Sequence, residues 1–156
     1  MRKTNDNVNH SLRNNEDGVL DLIHTVMHQY RSMQYQALRD GPHDITHMEG
    51  KVLGFFGHHP GATQSDLAKH SGRDKAQLAR LIKGLRDRGL LDAVADESDK
   101  RNVRLTLTSD GQSVLTVLRQ QAKRLNTLAL QEMDSHEQEQ LLQLLQRVKV
   151  NLDAGS

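Results

Sequence analysis

Residues 88–111 read RGLLDAVADESDKRNVRLTLTSDG, and the rest of the chain is best understood outward from them. Apolar Val103, Leu105 and Leu107 alternate with polar Arg104, Thr106 and Thr108. That period of two predicts a strand with one face buried. Leu90 to Ala95 supplies a second apolar run, and residues 96–102, all polar, lie between the two. Two strands around a polar tip predict a hairpin. Gly89, directly before it, suits the position just past a helix end, where the backbone turns left-handed.

Upstream, residues 73–88 read as that helix, with Ala76, Leu78, Leu81, Ile82 and Leu85 on its buried face. A shorter helix from Gln64 to His70 precedes it. Thr63 and Asp66 mark its start, because a threonine hydroxyl and an acidic third residue satisfy the unbonded N–H groups there. Ser71 and Gly72 form the turn between them, which completes a helix-turn-helix. Followed by the hairpin, it predicts a winged helix-turn-helix.

Further upstream, Thr46 and Glu49 form a capping box opening a helix that stops near His58, before Pro60 and Gly61. Val19 through Leu38 recur at helical spacing and predict a first long helix ending before Gly41 and Pro42. Downstream, Ser109 or Asp110 caps a fifth helix, and Ser135 with Gln138 forms a capping box for a sixth. Residues 1–16 show low hydrophobicity and no period, and read as a flexible arm. The expectation is one domain over residues 17–156, mainly α with a small β-hairpin wing.

Composition narrows the chemistry. The 156 residues contain no cysteine, which excludes disulfides, thiolate metal sites and a cysteine nucleophile. The N-terminus lacks the apolar core of a secretory signal and no apolar run approaches a membrane span, so a cytoplasmic protein without membrane association is expected. A net charge of +1 conceals a central excess: residues 63–104 hold ten Lys/Arg against seven Asp/Glu, whereas both flanking segments are slightly acidic. Arg73, Lys75, Arg80, Lys83, Arg86 and Arg88 face only Asp74 and Asp87 across residues 73–88. Such local basicity points to a polyanion.

Asp96, Asp99, Lys100, Arg101, Leu105, Leu107, Thr108 and Gly111 have the spacing of the wing in the MarR family of transcription regulators, which the chain resembles more loosely over residues 18–152. The resemblance implies a homodimer in which the first, fifth and sixth helices interlock, using about 17–40 and 110–152, with a winged helix-turn-helix over about 44–108. It implies double-stranded DNA as partner, a palindromic operator, repression, and release by a small-molecule effector whose binding residues are not legible. Carried over by position, Arg73, Asp74, Lys75, Gln77 and Arg80 would face the major groove. Gln64 and Ser65 would meet phosphate, and Lys100 and Arg101 lie at the wing tip. Arg101 would enter the minor groove, with Asp99 orienting it. Ala79 and Ala93 depart from the family pattern where a threonine and a basic residue are common.

Nine histidines invite a competing reading. His24 with His28, and His43 with His47, have the i,i+4 spacing that places two imidazoles on one helical face, as a metal sensor or small metalloenzyme would use. His70 has no partner at such spacing. No nucleophile motif, phosphate-binding loop or dinucleotide fingerprint is present, so neither catalysis nor a cofactor is expected and no metal ligand is assigned.

Overall fold

The computed structural model describes residues 18–156; the arm expected at 1–16 lies outside them. Six helices and three short strands follow in the order α1 (Gly18–Arg39), α2 (His47–His58), β1 (Ala62–Thr63), α3 (Gln64–Ser71), α4 (Lys75–Asp87), β2 (Leu91–Ala95), β3 (Val103–Leu107), α5 (Ser109–Ala129) and α6 (Ser135–Ala154). The chain is thus mainly α with a β wing. It divides into a unit ending at Gln121 and a second comprising Ala122–Ser156, the boundary falling within α5.

In the first unit, Val52, Leu53 and Phe56 of α2 are buried together with Leu67 of α3 and Leu78, Ile82 and Leu85 of α4. Leu90, Leu91 and Leu105 bring the wing onto this cluster, and Val114 and Leu118 of α5 join it. The wing is antiparallel, pairing Leu91 with Leu107, Ala93 with Leu105 and Ala95 with Val103. Inward Leu91 and Leu105 thereby anchor strands whose far ends are exposed.

Both threonine starts form as capping boxes, Thr46 with Glu49 and Thr63 with Asp66. Gly72 takes φ +63° at the turn between α3 and α4, a left-handed conformation costly for residues with a Cβ. Gly89 (φ +72°) closes α4: its N–H donates to the Arg86 carbonyl at 3.0 Å, and that of Leu90 donates to the Leu85 carbonyl at 2.9 Å. This is the paired arrangement that ends a helix without leaving its last carbonyls unmet.

Several expectations need correction. The sheet has a third strand, β1, whose Ala62 and Thr63 pair with Leu105 and Arg104. Helix α4 begins at Lys75 because Asp74 is its cap, accepting from the Gln77 N–H at 3.3 Å. Ala76, in the first turn beyond the core, is exposed. Thr108, rather than Ser109 or Asp110, caps α5, its hydroxyl accepting from the Gly111 N–H at 3.0 Å. Asp134 rather than Ser135 caps α6, accepting from the Glu137 N–H at 2.8 Å.

In the second unit, α6 has no buried residue; Leu142, Leu144, Val150 and Leu152 are each more than half exposed. Within the first unit, Val19, Leu20, Leu22 and Val26 of α1 are likewise exposed. Among the described residues, no helix is long and apolar enough to cross a membrane.

Candidate nucleic-acid interface

The interface begins with how the chain disposes its own basic residues. Of the six between 73 and 88, two are paired with carboxylates. Lys83 pairs with Asp87 one turn on, at 2.7 Å. Arg88 reaches back 39 residues to Glu49 at 2.9 Å and donates to the Asp44 carbonyl. Arg73, Lys75, Arg80 and Arg86 make no ion pair among the described residues, and all four are exposed. The apolar stripe of Leu78, Ile82 and Leu85 fixes which way α4 faces, so Lys75, Gln77 and Arg80 are left toward solvent.

Two sites predicted from sequence are joined by a contact that sequence did not reveal. The Gln64 amide donates to the Lys75 carbonyl at 3.3 Å, tying the start of α3 to the start of α4. Ser65 is exposed beside it. Asp74 spends its carboxylate on the helix cap, which gives it a structural task in addition to any contact outside the chain. The Arg80 guanidinium donates to the Ala76 carbonyl at 3.4 Å, one turn earlier.

At the wing tip, Asp99 accepts from the Arg101 N–H at 3.0 Å, and its own carbonyl accepts from the Asn102 N–H at 3.0 Å. Its carboxylate lies 3.7 Å from the Arg101 Nε, while the Arg101 side chain is 96% exposed. The loop is therefore set by Asp99, and the guanidinium projects from it. Behind the tip, Asp96 accepts from the Ser98 N–H and hydroxyl and from Arg104, whose other nitrogen donates to the Gly61 carbonyl. The bonds from Ser98, and then the charge and hydrogen bond of Arg104, hold the Asp96 carboxyl below its ordinary range.

Arg86 and Arg104 are the residues that sequence reasoning missed. Arg86 lines a recess of about 190 Å³ together with Gln64, Ser65, Arg101 and Asn102, between the helix-turn-helix and the wing. Its only sequence signal was membership of the basic stretch. Arg104 looked like the polar half of an alternating strand and is instead the strut of the wing.

The histidine pairs do not converge. His24 and His28 are exposed on α1. His43 precedes α2, so it shares no helical face with His47; it lies 3.7 Å from Asp110. The His47 ring stands edge-on to Tyr35, with its Nδ1 buried and without a hydrogen-bond partner. No three His, Asp or Glu side chains among the described residues are placed to hold a metal.

Comparison with known proteins agrees with this geometry. The model of the MarR family matches residues 43–102. The HTH-type transcriptional regulator YybA of Bacillus subtilis is 31% identical over 110 residues, spanning 70% of this chain and 73% of its own. The transcriptional regulator HosA of Escherichia coli is 27% identical over 130 residues, 81% of this chain and 96% of its own. Among solved structures, FabT of Streptococcus pneumoniae in complex with DNA superposes with a TM-score of 0.78 at 19% identity, covering 88% of this chain and 97% of that one. The reduced form of MarR from E. coli gives 0.69 at 26% identity, covering 83% and 95%. With a helix-turn-helix, a basic outward face and the first wing strand in the matched segment, and with YybA alike over 70% of the chain, the chain belongs to the MarR family of DNA-binding transcription regulators.

Proposed function

We propose that the chain is a cytoplasmic repressor that binds a palindromic operator as a homodimer and leaves it when a small-molecule effector binds. Residues 17–156 act as a single functional domain, with dimerisation helices at about 17–40 and 110–152 and a winged helix-turn-helix at about 44–108. The observation that carries this reading is the arrangement of outward cations on α4 and the wing tip while the neighbouring Lys83 and Arg88 are paired with Asp87 and Glu49.

In this reading α4 enters the major groove. Arg73, Lys75, Gln77 and Arg80 meet base edges and phosphates, and Asp74 accepts from a cytosine amino group at the groove edge. Gln64, Ser65 and Arg86 meet the backbone across the recess, because amide, hydroxyl and guanidinium groups all donate to phosphate oxygens. Arg101 and Lys100 follow the strand into the adjacent minor groove, where narrowing deepens the negative potential. Two copies related by a two-fold axis read two half-sites of opposite sense.

The test is to incubate the purified protein with fragmented genomic DNA and sequence what it retains. The expected result is an inverted repeat whose half-site centres lie about one helical turn, 10–10.5 base pairs, apart. Recovery of unrelated sequences in proportion to their length would reject a specific regulator.

A further inference from the structure

Arg104 stands in a row that crosses all three strands, opposite Thr63 of β1 and Val94 of β2. Thr63 is also the cap of α3, so the row starts where Gln64 and Ser65 leave the sheet. From β3 the Arg104 guanidinium reaches toward both neighbouring strands. Its Nη1 donates to the Gly61 carbonyl at 3.2 Å, in the turn leading into β1, and its Nη2 donates to the Asp96 carboxylate at 3.1 Å, at the root of the wing tip. A planar fork of fixed donors can hold two acceptors in set directions, whereas a lysine ammonium is a point charge on a flexible stem.

Asp96 is bonded into the tip as well. Its carboxylate accepts from the Ser98 N–H at 3.2 Å and hydroxyl at 3.1 Å, and its own N–H donates to the Asn102 carbonyl at 2.9 Å, closing residues 96–102 into a loop. One connected set of bonds therefore runs from the turn before α3, through Arg104 and Asp96, to the loop that carries Arg101. The Asp96 side chain is 17% exposed and that of Arg101 96%, so the root is held while the tip projects. Charge alone does not explain this carboxylate. Beside a surface for DNA it repels phosphate, and an exposed ion pair adds little to stability. Its bonds give it a geometric task instead.

We propose that Asp96 and Arg104 are positioning residues for DNA binding: by tying the root of the wing tip to the Gly61 turn, they hold Arg101 at a fixed offset from the start of α3, so that wing and helix-turn-helix meet neighbouring grooves together. Neither residue touches DNA. A tip held in place beforehand does not have to be ordered when the duplex arrives, and that saving of conformational entropy strengthens binding. What the strut supports is the contact of Arg101 with a narrow groove, so its loss falls on A·T-rich DNA. This rests on the minor-groove role of Arg101 in the proposed function and adds to it the residues that aim the guanidinium.

The experiment compares Asp96→Asn, which keeps the shape and an acceptor for Ser98 but removes the charge, with Arg104→Met and the conservative Arg104→Lys, all in the full chain. Amide ¹⁵N relaxation of the DNA-free protein reads the tip directly. The expected result is order parameters at 97–101 that fall from about 0.85 to below about 0.6 in Asp96→Asn and Arg104→Met and fall part of the way in Arg104→Lys, with little change in the denaturant midpoint. Binding is then titrated to a duplex of A·T tracts and to a G·C duplex of equal length. Asp96→Asn and Arg104→Met each weaken the A·T duplex about fivefold and the G·C duplex little, and Asp96→Asn added to Arg101→Ala weakens neither further. Were Arg104 a phosphate contact and Asp96 only a repelling charge, Asp96→Asn would tighten both duplexes. That result, or a tip as rigid in the variants as in the unaltered chain, overturns the proposal. An unaltered chain without preference for the A·T duplex is a failure of the minor-groove reading of Arg101 and not of the strut, which the relaxation measurement decides alone.

Discussion

Thr108 shows how much one hydroxyl decides. It donates to the Gly89 carbonyl at 2.6 Å and accepts from the Gly111 N–H at 3.0 Å, so the end of α4 and the start of α5 meet on a single oxygen. Thr108→Val keeps the shape and removes both bonds; the expected loss is about 1–2 kcal/mol in chemical denaturation, with Thr108→Ser recovering most of it. For the DNA face, Arg101→Ala should weaken operator binding by about 1–3 kcal/mol, most on A·T-rich flanks. Lys75→Ala, if it meets phosphate, should weaken all sequences alike and lower the salt slope by about one charge. Titrations of both variants over a range of salt separate the two roles. His47 carries a pH prediction. Burial, followed by the charges of Arg31, Lys51 and Arg73, lowers its pKa below the ordinary 6.5. The unfolded chain therefore binds the proton first, and stability present above pH 6.5 is lost as pH falls through the depressed value. Asp66 and Asp96, also depressed, add a second loss in the same direction below 3.8. Thermal melting between pH 8 and 3 should show both stages, and His47→Phe should remove the first.

At the scale of the element, two glycines predict opposite outcomes. Gly84 sits inside α4 with nothing within 4 Å of where a Cβ would stand, so Gly84→Ala should stabilise by up to about 1 kcal/mol. Gly111 opens α5 with such a Cβ only 2.2 Å from the Leu90 carbonyl, so Gly111→Ala must push β2 and α5 apart and should destabilise by about 1–3 kcal/mol. Denaturant midpoints for the pair check both signs. Helices α1 to α4 and the two wing strands were legible because apolar period, caps and turn glycines agreed along each. Strand β1 was not, since two residues carry no period. The caps of α5 and α6 slipped by one residue where neighbouring side chains, Thr108 beside Ser109 and Asp134 beside Ser135, are both cap formers. On the candidate DNA face the outward cations were legible as a basic stretch. Which of them the protein keeps for itself was not, because Arg88 finds Glu49 only through the fold. The strut from Arg104 to Gly61 and Asp96 was hidden for the same reason.

For the whole molecule, the exposed apolar side chains of α1 and those of α6 are the feature a lone chain would not keep in water. Light scattering should give about twice the 17.6 kDa of one chain. Leu142→Glu, on α6 where Leu142 is 57% exposed, should shift the mass toward one chain and weaken a two-half-site operator far more than a single half-site. The pairing of Arg88 with Glu49 bears on how such an assembly responds to a signal. Arg88 clamps the far end of α4 to the start of α2, while the end proposed to meet DNA is held by a cap and a glycine turn. If α4 enters the groove as proposed, it is a lever with its fulcrum away from the DNA. Thirteen residues give an arm of about 20 Å, so a swing of about 10° at the clamp carries the tip about 3 Å. That is close to the rise of one base pair, and in two copies moving oppositely the displacement doubles.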